Sequence, residues 1–74
     1  MKMKQLRERV NLRTADVASK IGVADSSVRN WEAGRTIPRL RADQMGLLCK
    51  LYKVSIEDLV KSINETAEGA SHHD

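Results

Sequence analysis

Aromatic side chains are almost missing from this sequence, which has no phenylalanine and only Trp31 and Tyr52 as aromatic residues. The core must therefore be mainly aliphatic, as it often is in small helical bundles. The 74 residues make one domain at most, near the lower size at which a single core is stable. A chain of this size is often stabilised further by dimerisation.

The sequence also lacks the features of secreted and membrane proteins. Cys49 is the only cysteine, so no intrachain disulfide can form, which is typical of proteins in a reducing cytosol. No apolar run approaches the ~20 residues of a membrane-spanning helix, and no signal-peptide pattern follows Met1. We therefore expect a soluble cytoplasmic protein that has no membrane partner.

Residue sets for catalysis or cofactor binding are absent as well. The sequence contains no nucleophile with a base, no phosphate-binding loop and no metal-ligand cluster. His72 and His73 would need further metal ligands that the sequence does not place near them. We therefore predict no metal site, no cofactor and no enzymatic activity.

Charge is distributed unequally along the chain, whose formal net charge is +3. Residues 1–41 carry ten basic and four acidic side chains, whereas residues 42–74 carry three basic and six acidic ones. A basic surface suits a polyanion such as nucleic acid, although an ordinary solvated surface would also explain it. Nucleic acid is favoured because the basic half contains the motif described next.

The chain is organised around a motif between Ile21 and Arg39. Gly22 can adopt the positive φ of a tight turn, and Gly34 can end the short helix that follows this turn. A helical run from Thr14 precedes the turn. Two helices joined in this way form a helix-turn-helix, whose second helix is placed to enter a DNA major groove.

The motif resembles the phage repressor and Cro-like, or XRE-like, helix-turn-helix family. The resemblance covers residues 6–59 and rests on the joint spacing of several positions: Val17-Ala18, Gly22-Val23, Val28, Trp31-Glu32, Gly34 and Pro38. It implies an all-α, five-helix, lambda-repressor-like DNA-binding domain over residues 1–63, with the helix-turn-helix at helices 2 and 3. Residues 64–74 are almost without apolar side chains, so we expect a disordered C-terminal tail.

Helical periodicity and end signals predict the positions of the five helices. These positions are residues 4–10, residues 15–21 with Thr14 as N-cap, residues 25–33, a helix from Ala42 and a helix after Ser55. Trp31 shares a face with Val28, so we expect it in the core rather than stacked on a base. Glu32 is expected to pair with a basic side chain of helix 1 or 2. Four more apolar side chains should complete the core: Ile37, Leu40, Ile56 and Leu59.

Base-reading residues are expected near the start of the third helix. The resemblance implies that positions 25, 26 and 30 read bases and that position 29 lies close to them. Arg29 can make a bidentate contact with guanine, Asn30 can pair with adenine, and Asp25 can accept from cytosine, each good pair contributing ~1–3 kcal/mol. Ser26 can bond a base or a phosphate. Asp25 has an alternative role, because the helix dipole stabilises an acidic side chain there without DNA.

Phosphate contacts are expected on the loop around Pro38, which in the family lies along the DNA backbone. Such contacts position a protein without specifying a sequence, and plain solvation is the alternative. The family usually has Thr and then Gln at positions 13 and 14, where the Gln holds a phosphate and supports the base-reading side chains. Arg13 and Thr14 stand there instead, and Arg13 can supply the phosphate contact. The predicted phosphate contacts are Arg13, Thr14, Ser27, Arg35, Thr36, Arg39 and Arg41.

Val60 and Ile63 continue the apolar stripe of the fifth helix beyond what a small bundle needs. We predict that they form a homodimer interface, with ordinary completion of the core as the alternative. A two-fold symmetric dimer would place two recognition helices about one DNA turn apart, ~34 Å.

The combined expectation is a sequence-specific, double-stranded DNA-binding transcriptional regulator, a dimeric repressor of bacterial or phage origin. Two other classes of protein stay open. One is an antitoxin that binds a toxin and its own promoter, and the other is a helix-turn-helix module that binds only proteins.

Overall fold

The computed structural model describes residues 1–71, which form five α-helices and, within that range, no strand. The helices are α1 (Met3–Arg9), α2 (Thr14–Ile21), α3 (Asp25–Glu32), α4 (Ala42–Tyr52) and α5 (Ile56–Ser71). The predicted all-α fold with a helix-turn-helix at α2 and α3 is confirmed. No helix within residues 1–71 combines the length and the apolar content that a membrane crossing requires.

The core is built from side chains of all five helices around Trp31 and Tyr52. The helix α2 packs against α3 and α4, while α5 packs against α1, α3 and α4. Trp31 is only 6% exposed, as expected of a core residue. The buried apolar side chains are Met3, Leu6, Val17, Ala18, Ile21, Val28, Trp31, Leu48, Tyr52, Leu59 and Ile63.

Two apolar side chains that were expected in the core are exposed. Ile37 is 59% exposed in the loop after α3, and Ile56 is 50% exposed at the start of α5. Leu40 and Leu59 do contribute to the core, Leu40 partly and Leu59 completely. The expectation for Ile37 and Ile56 was wrong because an apolar side chain is buried only where its helix or loop faces the core.

The turn between α2 and α3 has the geometry that its glycine predicts. Gly22 is left-handed, with φ of 78°, and its N–H donates to the Ala18 carbonyl at 2.9 Å. A Cβ at Gly22 would meet no heavy atom within 4 Å, so the backbone conformation, and not a lack of space, calls for glycine. The side-chain amide of Gln44 donates to the Ile21 carbonyl at 3.0 Å and ties α4 to the end of α2.

The start of α2 differs by one residue from the prediction. Thr14 is the first helical residue, and Arg13, which was not expected there, is the N-cap. The Asp16 carboxylate accepts the Arg13 backbone N–H at 3.0 Å, and this bond is the main cause of the lowered pKa of Asp16. The cap is therefore supplied by the third residue of the helix, which reaches back to the residue before it.

The largest correction concerns the C-terminal segment. Residues 64–71 were expected to be disordered, but they continue α5. Thr66 is 5% exposed, and its Oγ1 accepts the Met3 backbone N–H at 3.1 Å while donating to the Ser62 carbonyl at 2.8 Å. The polar composition of the segment misled the prediction because tertiary contacts with the N-terminal residues hold it in place, among them the cap on the first N–H of α1 and the ion pair between the Met1 amino group and Glu65 at 2.6 Å. Residues 72–74, including His72 and His73, lie outside the described part of the chain.

The contact between α5 and α1 makes a testable contribution to stability. Thr66→Val keeps the branched side chain but leaves the Met3 N–H buried without a partner, so it should lower the free energy of unfolding by ~1–3 kcal/mol. Denaturant unfolding followed by circular dichroism measures the change. Asn64→Ala on the exposed side of the same helix is the control, and it should not destabilise. Equal stability of Thr66→Val and the wild type would contradict the docking of this segment.

Candidate nucleic-acid interface

The helix α3 has one face in the core and another in solvent. Val28 and Trp31 point inward and are 0% and 6% exposed. Ser26, Arg29 and Asn30 follow one another at the i, i+3 and i+4 spacing, which places them on one face of the helix. Ser26 and Arg29 are exposed and Asn30 is half-buried. Three of the four predicted base readers are therefore brought together on the outward side of α3.

The fourth predicted base reader, Asp25, lies beside Arg29. The closest approach of this ion pair is 2.9 Å, between Asp25 Oδ2 and Arg29 Nε, and 71% of the Arg29 side chain remains exposed. Asp25 Oδ1 is shielded from solvent and has no hydrogen-bond partner within residues 1–71. Sequence reasoning missed this pair, although its i, i+4 spacing is the signal from which such pairs can be predicted.

The loop between α3 and α4 adds a groove next to α3. Arg35, Thr36 and Arg39 are exposed there, and neither arginine makes an ion pair or a side-chain hydrogen bond within the described residues. Four of the predicted phosphate contacts thus line one groove, whose walls are Val23, Ser27, Trp31, Arg35, Thr36, Ile37, Arg39 and Leu40. The lining of the groove therefore combines basic and apolar side chains.

The remaining predicted phosphate contacts lie outside this groove, at the starts of α2 and α4. Arg13 and Arg41 are the N-cap residues of these helices. Their Nε atoms lie 3.4 Å from Asp16 and 3.2 Å from Asp43, and both arginine side chains are more than 70% exposed. Exposed ion pairs of this kind contribute little to stability, so a phosphate can replace the carboxylate. Thr14 is half-buried on the first turn of α2.

An ion pair with little exposure fixes the C-terminal end of α3 against α1. Glu32 accepts from Arg7 Nε at 2.7 Å and from Arg7 Nη2 at 2.9 Å, and Arg7 Nη1 donates to the Leu12 carbonyl at 2.9 Å. The two side chains are 13% and 8% exposed. The expected pairing of Glu32 with a basic residue of helix 1 or 2 is confirmed.

The ion pair also shapes the electrostatics of the core. The hydrogen bond to Glu32 is the main cause that raises the pKa of Arg7 above its usual value. Burial, followed by the negative charge of Glu32, raises the pKa of Tyr52 well above its usual range, so the phenol stays neutral. Because both Glu32 oxygens are occupied, the acidic side chain is held away from the outward face of α3.

The predicted dimer contacts do not share one surface. Val60 is 45% exposed on α5, whereas Ile63 is 8% exposed and belongs to the core. The burial of Ile63 fits the alternative of ordinary core completion, and the dimer interface itself stays a prediction. Val60 instead shares an exposed face with Ile56, four residues earlier.

A family model described as "Helix-turn-helix domain" matches residues 1–61 of this chain. The chain therefore belongs to the helix-turn-helix domain family, and this domain supports the general class of DNA-binding regulators. No curated protein and no solved structure matches the chain significantly. The predicted helix-turn-helix class is confirmed, and the narrower phage repressor and Cro-like assignment stays a prediction.

The ion pair between α1 and α3 should be essential for the placement of α3. Glu32→Gln leaves the Arg7 charge buried and unpaired, so we expect a loss of ~3 kcal/mol in the free energy of unfolding. Glu8→Gln, an exposed change on α1, is the matched control and should alter stability by less than ~0.5 kcal/mol.

Replacing both partners tests the same explanation from the other side. Arg7→Met combined with Glu32→Met removes both charges, so it should recover much of the stability that Glu32→Gln loses. Urea unfolding of all four proteins provides the comparison. If Glu32→Gln is as stable as Glu8→Gln, the pair does not hold α3 in place.

Proposed function

We propose that this protein is a sequence-specific transcriptional regulator of the phage repressor and Cro-like type, acting as a repressor on double-stranded DNA. One observation carries the proposal: the outward face of α3, with Ser26, Arg29 and Asn30, lies next to a loop whose Arg35 and Arg39 have no acidic partner within residues 1–71. A helix enters the major groove, and unpaired cations beside it can neutralise the flanking phosphates. The regulator would act in the cytoplasm of a bacterium, where its DNA target is accessible.

The proposed contact residues divide into side chains that read bases and side chains that bind phosphates. Arg29 suits guanine and Asn30 suits adenine, because each can form two hydrogen bonds with the major-groove edge of that base. Ser26 can donate to or accept from either a base or a phosphate. The groove residues and the residues at the starts of α2 and α4 position the protein on the DNA backbone. These proposed phosphate contacts are Arg13, Thr14, Ser27, Arg35, Thr36, Arg39 and Arg41.

A homodimer would complete the proposed DNA-binding unit. Ile56 and Val60 form an exposed apolar pair one helical turn apart on α5, 50% and 45% exposed. A two-fold interface built on this pair is self-complementary, since each residue meets the same surface of the partner. Two α3 helices would then reach half-sites ~34 Å apart.

The first test compares two DNA duplexes at physiological salt. Binding to the DNA upstream of the protein's own gene should exceed binding to a random duplex by ~10³-fold or more. Fluorescence anisotropy with labelled duplexes measures both affinities. Equal weak binding to both duplexes would contradict an autoregulating, sequence-specific repressor.

The same titration, repeated over a range of salt concentrations, separates the two kinds of contact. Arg39→Ala should weaken binding to all sequences alike and should reduce the slope of log K against log salt by about one, because one phosphate contact is lost. Lys50→Ala removes an equal charge from the exposed side of α4 and serves as the control. A loss that depends on the DNA sequence would contradict the phosphate role of Arg39.

The dimer interface is tested by sedimentation without DNA. Ile56→Asp combined with Val60→Asp should convert the dimer to a monomer, because the interface would bury two unpaired charges. Ile37→Asp introduces a charge at an equally exposed apolar position on a loop and should leave the dimer intact. An intact dimer in the double variant would remove this face from the interface.

An antitoxin is the second candidate, because the exposed Ile56 and Val60 pair could equally cover a toxin. Such a protein would still bind its own promoter through α3, so DNA binding alone does not distinguish the two. A second small protein that co-purifies and is released by the α5 double variant would favour the antitoxin. A module that binds only proteins would show no salt-dependent DNA binding at all.

A further inference from the structure

We propose that Asp25 does not read a base, and that it is a positioning residue that holds the guanidinium of Arg29 for end-on contact with guanine. The proposal rests on the function proposed above, in which α3 enters the major groove. It changes the role of Asp25 from a direct reader of cytosine to a support for its neighbour.

The first argument is the edge of Arg29 that Asp25 occupies. The closest approach joins Asp25 Oδ2 to Arg29 Nε at 2.9 Å. The two Nη groups lie at the far end of the guanidinium, and they make no hydrogen bond with the protein within residues 1–71. Guanine presents O6 and N7 as adjacent acceptors in the major groove. A guanidinium held at Nε can therefore direct both Nη groups at one guanine.

The second argument is that the carboxylate of Asp25, 35% exposed as a side chain, is turned toward Arg29 and the protein interior. Oδ1 is shielded from solvent, and Oδ2 faces Arg29. Contact with cytosine N4 needs an accessible lone pair on the carboxylate. An acidic side chain at a DNA surface is also repelled by the phosphates unless a cation accompanies it. A role that acts through Arg29 needs no lone pair directed at a base, and Arg29 itself supplies the accompanying cation.

The third argument concerns the conformational freedom that the Arg29 side chain loses on binding. An exposed arginine loses much rotamer freedom when it is fixed on a base, and this loss weakens binding. An i, i+4 partner on the same helix restricts the side chain before DNA arrives. The pair is also neutral in total, so it contributes less than a lone arginine to attraction for every duplex. Asp25 should thus raise selectivity while lowering non-specific affinity.

The experiment measures affinity for a duplex from the DNA upstream of the protein's own gene, and for versions of this duplex that differ at single base pairs. Arg29→Ala identifies the base pair that Arg29 reads, as the position where discrimination is lost. Asp25→Ala should reduce discrimination at this same base pair by about two- to tenfold, while binding to random duplex becomes tighter. Asp25→Asn should act in the same direction, because it removes the charge but keeps the shape.

Rescue and coupling separate positioning from general structure. Asp25→Glu keeps an acidic partner at the i, i+4 spacing and should restore most of the discrimination. Asp25→Ala combined with Arg29→Ala should lose no more discrimination than Arg29→Ala alone, since Asp25 acts only through Arg29. Circular dichroism of each variant shows whether the helices are retained.

Asp43→Ala is the matched control. Asp43 pairs with Nε of Arg41 at 3.2 Å, so this change removes the same charge from a similar pair outside α3. It should tighten binding to all duplexes alike and should leave discrimination at every base pair unchanged. The contrast between Asp25→Ala and Asp43→Ala isolates the effect of position from that of charge.

Two results would overturn the inference while leaving the proposed function intact. If Asp25→Ala tightens binding to all duplexes without changing discrimination, Asp25 is only a repulsive charge. If discrimination is lost at a base pair other than the one read by Arg29, Asp25 reads a base itself. If the wild type fails to distinguish any duplex from random DNA, the proposed function is overturned first and the inference with it.

Discussion

The structure depends on an ion pair between the first and third helices. Glu32 ends α3, and its carboxylate accepts two hydrogen bonds from Arg7, which also donates to the Leu12 carbonyl after α1. Because both side chains are little exposed, their charges are stable there only together. The pair therefore fixes the direction of α3 from its C-terminal end, while Gly22 and the core contacts of Val28 fix the other end.

The charged side chains of the basic half thus have distinct tasks. Arg7 is used inside the molecule, Arg13 and Arg41 share their charge with neighbouring acidic residues, and Arg35 and Arg39 have no acidic partner within residues 1–71. Net charge alone cannot separate these groups, because it counts a paired and an unpaired arginine equally. The surface available to a polyanion is accordingly smaller than the composition indicates, and it is concentrated beside α3.

Local signals predicted well wherever the chain itself sets the conformation. Gly22 and Gly34 adopt the positive φ expected at helix ends, and Ala42 begins α4 as expected. Prediction failed where a distant contact decides. Thr66 orders a polar segment by capping α1, and Ile63 faces the core while Ile56 and Ile37 face solvent. The sequence identifies the three isoleucines as apolar, but its periodicity could not tell which face of each element meets the rest of the molecule.

The sequence by itself determined the helix-turn-helix, the all-α class and the set of candidate DNA-contacting residues, because helix periodicity, glycine turns and charge are local properties of the chain. Only the tertiary structure decided how those candidates are arranged and paired. It paired Asp25 with Arg29, left Arg35 and Arg39 without an ion-pair partner within residues 1–71, and extended α5 to Ser71. Partners and burial depend on contacts between elements far apart in sequence, and these contacts exist only once the helices have packed.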